Sequence, residues 1–395
     1  MASELRRDGG ASAKGRPLSV GLRGSYSDAW VAGVIYVTNV MRCLETLPPE
    51  SRPQIVLLED AKPVHDDLKR LANHCGCEIW SHDESSVPSR LMRRVRRLTG
   101  LKAGLPNARL DVIFPAGEAD ATDPRRLYWM PDFQHEHMPE LFAPQELASR
   151  RSYMAALAKI EGHILLSSET AAADFRRFYP DAMLKAHVWS FPSSLDPGHA
   201  VTDASELAAL PPKYLYIANQ FWAHKDHETA LRALAILKDR GIDADLVCTG
   251  HENDPRRPDH MANLRTLVRD SRLTDRVRFL GLVPRAVQIE IFRRAAAVVQ
   301  PSRFEGWSTV VEDARSLGKD VILSNIPVHR EQMPDAHLFE TGNPASLANV
   351  IARVLDGLKP GPDVVREREA QAALAARCKV QAQKLLGIFH EVASR

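Results

Sequence analysis

Pro301-Ser-Arg-Phe-Glu-Gly-Trp-Ser-Thr-Val-Val-Glu-Asp-Ala-Arg-Ser-Leu-Gly318 follows a short run of small apolar residues, Ala295-Ala-Ala-Val-Val-Gln300. That run has strand length. After it, Val310, Val311, Ala314 and Leu317 recur at helical spacing until Gly318 ends the pattern. The sequence therefore predicts a buried strand, a tight loop and a helix. In open α/β sheets such a junction, at the carboxyl end of a strand and the amino end of a helix, is where ligands bind. Glu305 falls in the loop and Asp313 about one turn into the helix. Gly306 allows close approach to the backbone. Thr309 and Glu312 fit a capping box, which makes helix capping the plain reading of Glu312. Free amides and the helix dipole at Trp307, Ser308 and Thr309 favour an anion by roughly 0.3–1 kcal/mol. A diphosphate flanked by hydroxyl groups, as in a nucleotide sugar, suits that arrangement.

The stretch resembles the Glu-x7-Glu signature of retaining glycosyltransferases with the GT-B fold, family 4 of bacterial type, aligning Glu305 with the first acid and Asp313 with the second. The likeness extends through Gly318 and the strand Val321-Ile-Leu-Ser-Asn325. Two residues depart from the family pattern: the second acid is Asp, and Ser308 stands for a glycine. The resemblance implies that Glu305 contacts the donor sugar and Asp313 the nucleotide ribose, with the shorter Asp putting the ribose contact in question.

The chain has 395 residues, 44% of them hydrophobic, with a formal charge of +2. That length suggests two domains with sizeable cores. The balanced charge gives no general reason to expect nucleic acid. Five scattered cysteines read as reduced thiols of a cytoplasmic protein. No apolar run reaches membrane-span length. Residues 1–16 are polar and read as a disordered tail.

Strand and helix alternate from Leu18-Ser-Val-Gly-Leu22 onward, which predicts an α/β fold of doubly wound parallel sheets. A helix is expected from Trp30 to Leu47. The resemblance places a phosphate-contacting Gly-Gly turn at its start, of which only Gly33 is kept, beside Ala32. Residues 88–102 read as a basic amphipathic helix, either docking on an anionic membrane surface or showing a solvated basic face. The strand Leu127-Tyr-Trp-Met130 runs into Pro131-Asp-Phe-Gln-His-Glu-His-Met-Pro139. His135-x-His137, read as an extended pair, is a weak metal motif. The resemblance instead makes Asp132 and His135 cleft residues, with His135 near the reacting sugar; a structural histidine is the alternative. Ser168-Glu-Thr opens a helix, facing the cleft by resemblance or simply capping. Residues 192–202 read as the interdomain linker.

The second half repeats the pattern. The strand Lys213–Ala218 leads into Asn219-Gln-Phe-Trp-Ala-His-Lys-Asp-His227. The family carries an arginine and, five residues on, a lysine that bind the diphosphate. Here Gln220 takes the arginine position and Lys225 keeps the lysine, so one cation is missing or comes from elsewhere. Asp243-Ala-Asp245 precedes its strand and is a poor metal motif. Asp275-Arg-Val-Arg-Phe-Leu-Gly-Leu-Val-Pro284 resembles the base-binding segment, with backbone contacts expected at Leu282 and Val283. Domains are expected at 17–195 (acceptor side) and 196–375 (donor side), with residues 376–395 returning to the first domain.

The resemblance implies transfer of a sugar from a nucleoside-diphosphate sugar to a glycan or lipid-linked acceptor, with retained configuration, no cofactor and no metal, in surface polysaccharide biosynthesis. Localisation is expected in the cytoplasm, at the inner face of the membrane if the basic helix docks there. Two rivals stay open: a non-catalytic GT-B-like glycan-binding or partner subunit with a degenerate donor site, and a GT-B epimerase or phosphorylase.

Overall fold

The computed structural model describes residues 16–24, 31–59, 64–81, 110–117, 123, 125–193 and 195–394. The basic stretch 88–102 lies outside them. Arg16, assigned to the tail, bonds Asp111 Oδ1 at 2.6 Å, so the described fold starts there.

The first half holds strands β1 (Ser19–Arg23), β2 (Gln54–Glu59), β3 (Glu78–Ser81), β4 (Val112–Phe114), β5 (Leu127–Met130), β6 (Gly162–Leu166) and β7 (Leu184–Val188). They form a four-stranded sheet, β3-β2-β1-β4, and a three-stranded sheet, β5-β6-β7. A parallel bridge between Ile113 and Arg126 joins the two, and Ala116 N donates to Leu127 O at 2.8 Å. The result is one twisted parallel array. The second half holds β8 (Leu215–Ile217), β9 (Leu246–Cys248), β10 (Val277–Phe279), β11 (Ala297–Gln300), β12 (Val321–Ser324) and β13 (His337–Phe339). Their order is β10-β9-β8-β11-β12-β13, and every pair is parallel. Each half thus reverses direction beside its first strand, the doubly wound plan, with its ligand crevice at the carboxyl strand ends.

Near-continuous apolar strands are what a sheet covered on both faces requires. Ala297, Val298, Val299 and Gln300 of β11 are all buried, as are all four residues of β12. Helices His227–Asp239 and Pro344–Val354 cover one face of the second sheet through Leu231, Leu234, Leu347 and Ile351. Helices Arg285–Arg294 and Thr309–Ser316 cover the other through Ile291, Val311 and Ala314.

The last helix, Val364–Ala393, crosses from the second half to the first. Its Leu374, Cys378, Leu385 and Phe389 enter the core built on β1 and the helix Val31–Glu45. Trp189 Nε1 donates to Gln381 O at 3.0 Å. Arg377 pairs with the buried Glu312 of the second half. Glu312 is therefore a core ion-pair partner rather than a cap. The helix cap is Ser308, whose Oγ accepts from Val311 N, and since the N3 residue is then Val311 the expected capping box does not form.

Candidate active site in the interdomain cleft

The carboxyl ends of β5 and β6 face those of β8 and β11 across a half-open cavity of about 190 Å³. One wall is aromatic: Tyr36, Trp129, Phe191 and Trp307, with Tyr36 and Trp129 stacked at 4.0 Å. The other is polar: Asp132, Gln134, Asn219, His224, Lys225 and Glu305.

Glu305 is the centre of the polar wall. Its Oε1 accepts from Lys225 Nζ at 2.6 Å and from Gln300 Nε2 at 2.7 Å. Burial, with the side chain only 8% exposed, pushes its pKa up. The Lys225 ammonium outweighs that and sets it down to about 2. Glu305 is thus an anion at neutral pH. Gln300, the last residue of β11, is itself fixed by a two-way amide pair with Asn219 and a bond to Ser302 Oγ. Strand ends from both sides of β8 and β11 thereby aim one carboxylate into the cleft.

Gly306 faces the first half so closely that a Cβ would collide with the Pro131 carbonyl oxygen. Trp307 Nε1 donates to Phe191 O at 2.9 Å. Ser308 N donates to Gln332 Oε1, and Gln332 Nε2 donates to Ser308 O. Thr309 and Val310 open the helix at the cavity wall. First-turn amides lack intrahelical partners, so this is the end that can receive an anion.

Asp132 lies in the cavity wall, with its Oδ1 accepting from Gln134 N at 2.8 Å. Burial raises its pKa, and the Glu305 charge adds to that. His135 is placed differently from the expectation. The Gln134–His137 segment is one helical turn, not extended, so neighbours point apart. His135 packs beneath the loop beside Phe133 and Phe142, and burial lowers its pKa. Gln134 takes the cavity position instead. His137 turns outward to Asp174 Oδ2 at 2.8 Å, so the two histidines form no metal pair.

Asp313 is buried outside the cavity lining. Its Oδ1 accepts from Ser193 Oγ at 2.7 Å and its Oδ2 from Arg285 at 2.8 Å. Burial raises its pKa. Both oxygens tie the helix to the interdomain linker and to Arg285. Gln220 also lies outside the lining, its Oε1 accepting from His251 N at 3.2 Å. Gly33 is buried in the first turn of its helix. Leu282, 68% exposed, and the half-buried Val283 follow β10 beyond the enclosed part of the cleft. Asp243 and Asp245 pair with Arg276, which accounts for both carboxylates.

Several site residues were not singled out from the sequence. Arg256 reaches across the cleft: it donates to Gln134 Oε1 at 3.3 Å, approaches His224 Nδ1 at 3.4 Å and lies 5.3 Å over the Trp222 ring. Asp254 holds its Nε at 3.3 Å. Glu331 also crosses, accepting from Glu169 N, Thr170 N and Thr170 Oγ at 2.8–2.9 Å. It caps the helix Glu169–Phe178 together with Ser168 Oγ, which accepts from Ala171 N. Arg256 has no sequence signal, because its loop carries no motif. Glu331 was visible only as a polar residue after a strand.

Residues 202–369 match the family model described as glycosyl transferases group 1. The fold is GT-B. The chain resembles a sucrose-phosphate synthase from Thermosynechococcus elongatus, with TM-score 0.63, 16% identity, and 95% and 98% of the two chains covered. It also resembles a glycosyltransferase from Rickettsia africae, with TM-score 0.62, 12% identity, and 95% and 98% covered. A third likeness is to Anabaena HepE in complex with UDP, with TM-score 0.61, 15% identity, and 94% and 100% covered. No curated protein sequence matches the chain. No helix among the described residues is long and apolar enough to cross a membrane.

Proposed function

We propose that the protein transfers a sugar from a nucleoside-diphosphate sugar to a glycan or lipid-linked acceptor, with retention of configuration, in surface polysaccharide biosynthesis. The observation that carries this reading is Glu305, an ionised carboxylate held by Lys225 and Gln300 at the meeting of four strand ends. Glu305 would orient the donor sugar. Lys225 would move from Glu305 to the diphosphate, joined by the helix start at Thr309–Val310, and stabilise the leaving charge. Arg256, which reaches Gln134 and His224 from a different loop, would supply the cation that Gln220 lacks. On this reading no metal is required. The aromatic wall of Tyr36, Trp129 and Trp307 is suited to an acceptor or sugar face.

The cavity of about 190 Å³ is below the usual 300–1,000 Å³ of a ligand site, so on this reading the halves separate to seat the whole donor. Reclosure would then exclude water and suppress donor hydrolysis. Asp313, engaged by Ser193 and Arg285, gives a ribose contact only if one of these bonds is exchanged.

The test is product analysis with a panel of nucleoside-diphosphate sugars and glycan acceptors. Transfer with release of the diphosphate, lost in Glu305→Ala, is the expected result. Donor binding without turnover would favour the degenerate subunit; interconverted free sugar would favour an epimerase.

A further inference from the structure

A second constellation of ligating side chains lies at the opposite end of β6. His163 and His187 sit on neighbouring parallel strands, in the registers His163↔Lys185 and Leu165↔His187. With a side-chain period of two, His163, Lys185 and His187 share one sheet face. Glu391, in the last turn of the closing helix, meets them there. His163 Nδ1 is 2.8 Å from His187 Nε2, and Glu391 Oε1 is 3.8 Å from the first and 4.0 Å from the second.

These three distances join the same three atoms and form an acute triangle. Its circumradius is about 2.1 Å, and the 2.8 Å edge is a hydrogen bond between the two imidazoles, which an ion would replace as the nitrogens part to the roughly 3.3 Å of a tetrahedral pair. Zinc–nitrogen and zinc–carboxylate bonds are about 2.0–2.2 Å long. We propose that His163, His187 and Glu391 bind a divalent transition metal of the zinc class, which pins the end of the closing helix to β6 and β7. Two imidazoles and one carboxylate are borderline donors that suit zinc better than magnesium or calcium. Glu391, 40% exposed, leaves a solvent-facing position for water as the fourth ligand. Lys185 Nζ lies 2.7 Å from Glu391 Oε1 and must yield that oxygen to the ion; the second carboxylate oxygen can receive it.

This site is separate from the sugar-transfer cleft. His163 stands four residues before Ser167, which lines the cleft, a span of about 13 Å along a strand. The metal would serve helix docking and take no part in transfer, so the proposal stands or falls independently of the proposed function.

The experiment uses the full chain without a histidine tag, stripped with chelator. Zinc is titrated by calorimetry, and cobalt(II) uptake is followed by visible absorbance. Glu391→Gln, at a side chain 40% exposed, and His187→Gln, a polar replacement at a side chain 9% exposed, are compared. The expected result is one zinc per chain at sub-micromolar affinity, a tetrahedral-type cobalt spectrum, and a higher melting temperature with zinc. Each variant should bind at least about tenfold more weakly and lose most of the zinc-induced melting shift. No uptake at about 100 µM zinc would overturn the proposal. So would affinities and cobalt spectra unchanged in both variants.

Discussion

At the scale of single residues, Glu305 and Lys225 form a buried ion pair whose halves cannot be removed separately without cost. Glu305→Ala leaves an uncompensated ammonium and should destabilise the fold by about 3–5 kcal/mol, whereas Glu305→Gln keeps a hydrogen-bond acceptor and should cost less. Urea unfolding of the two variants measures the difference. Histidine burial sets the acid limit. His227 is wholly buried, stacked on Phe221 at 4.4 Å, and burial pushes its pKa down to about 3. Its folded pKa lies below the unfolded value of about 6.5, so its contribution is full above that pH and is lost as pH falls toward about 3. Each unit in that window costs about 1.4 kcal/mol. His227→Leu should therefore lose less stability than the parent between pH 7 and 5. Glu305, Lys225 and Gly306 were legible because loop acid, lysine and glycine stand at family spacing around a strand end. His135 was placed in the cleft by the family resemblance, with a structural histidine as the alternative, and it packs under the loop beside Phe133 and Phe142. Asp313 was legible as the second acid, but its partners Ser193 and Arg285 are 120 and 28 residues away, beyond any local pattern.

At the scale of elements, alternation of apolar strands and amphipathic helices was enough to reveal both sheets, since the central strands β1, β8, β11 and β12 are nearly unbroken apolar runs. The short β3 and β13 were not read, being three or four residues long and lying at sheet edges. The cleft is held shut by bonds between elements of different halves. Glu331 caps the helix Glu169–Phe178 with three hydrogen bonds, and Trp307 bonds Phe191 O. Glu331→Ala removes an N-terminal carboxylate and its three bonds, a change typically worth about 1 kcal/mol at a helix start. The expected effect is a shift toward the open cleft, with faster release of nucleotide and lower kcat at similar stability. Stopped-flow release of a fluorescent nucleotide checks it; unchanged release would place cleft closure elsewhere.

At the scale of the whole molecule, the closing helix is a structural part of the half it does not follow in sequence. Leu374, Cys378, Leu385 and Phe389 fill the first core, while Gln371 Nε2 donates to Leu195 O and Ser316 O. Removing residues 376–395 strips several large side chains, each worth roughly 1.5–3 kcal/mol of burial, from a domain of marginal net stability. Such a truncation should leave the first half unfolded and the second half folded. Limited proteolysis would then yield a protected fragment beginning near residue 202. Protection of both halves would show that the helix is dispensable.

The cleft's central assignment is that Lys225, presented beside Glu305, receives a nucleoside diphosphate. Calorimetric titration of UDP, GDP, ADP, TDP and CDP, without metal, into the parent chain and Lys225→Ala tests this most directly. The expected result is binding of one nucleotide by the parent and a loss of at least about tenfold, roughly 1.4 kcal/mol, in the variant. No binding of any nucleotide at millimolar concentration, or equal affinity in the two proteins, would contradict it.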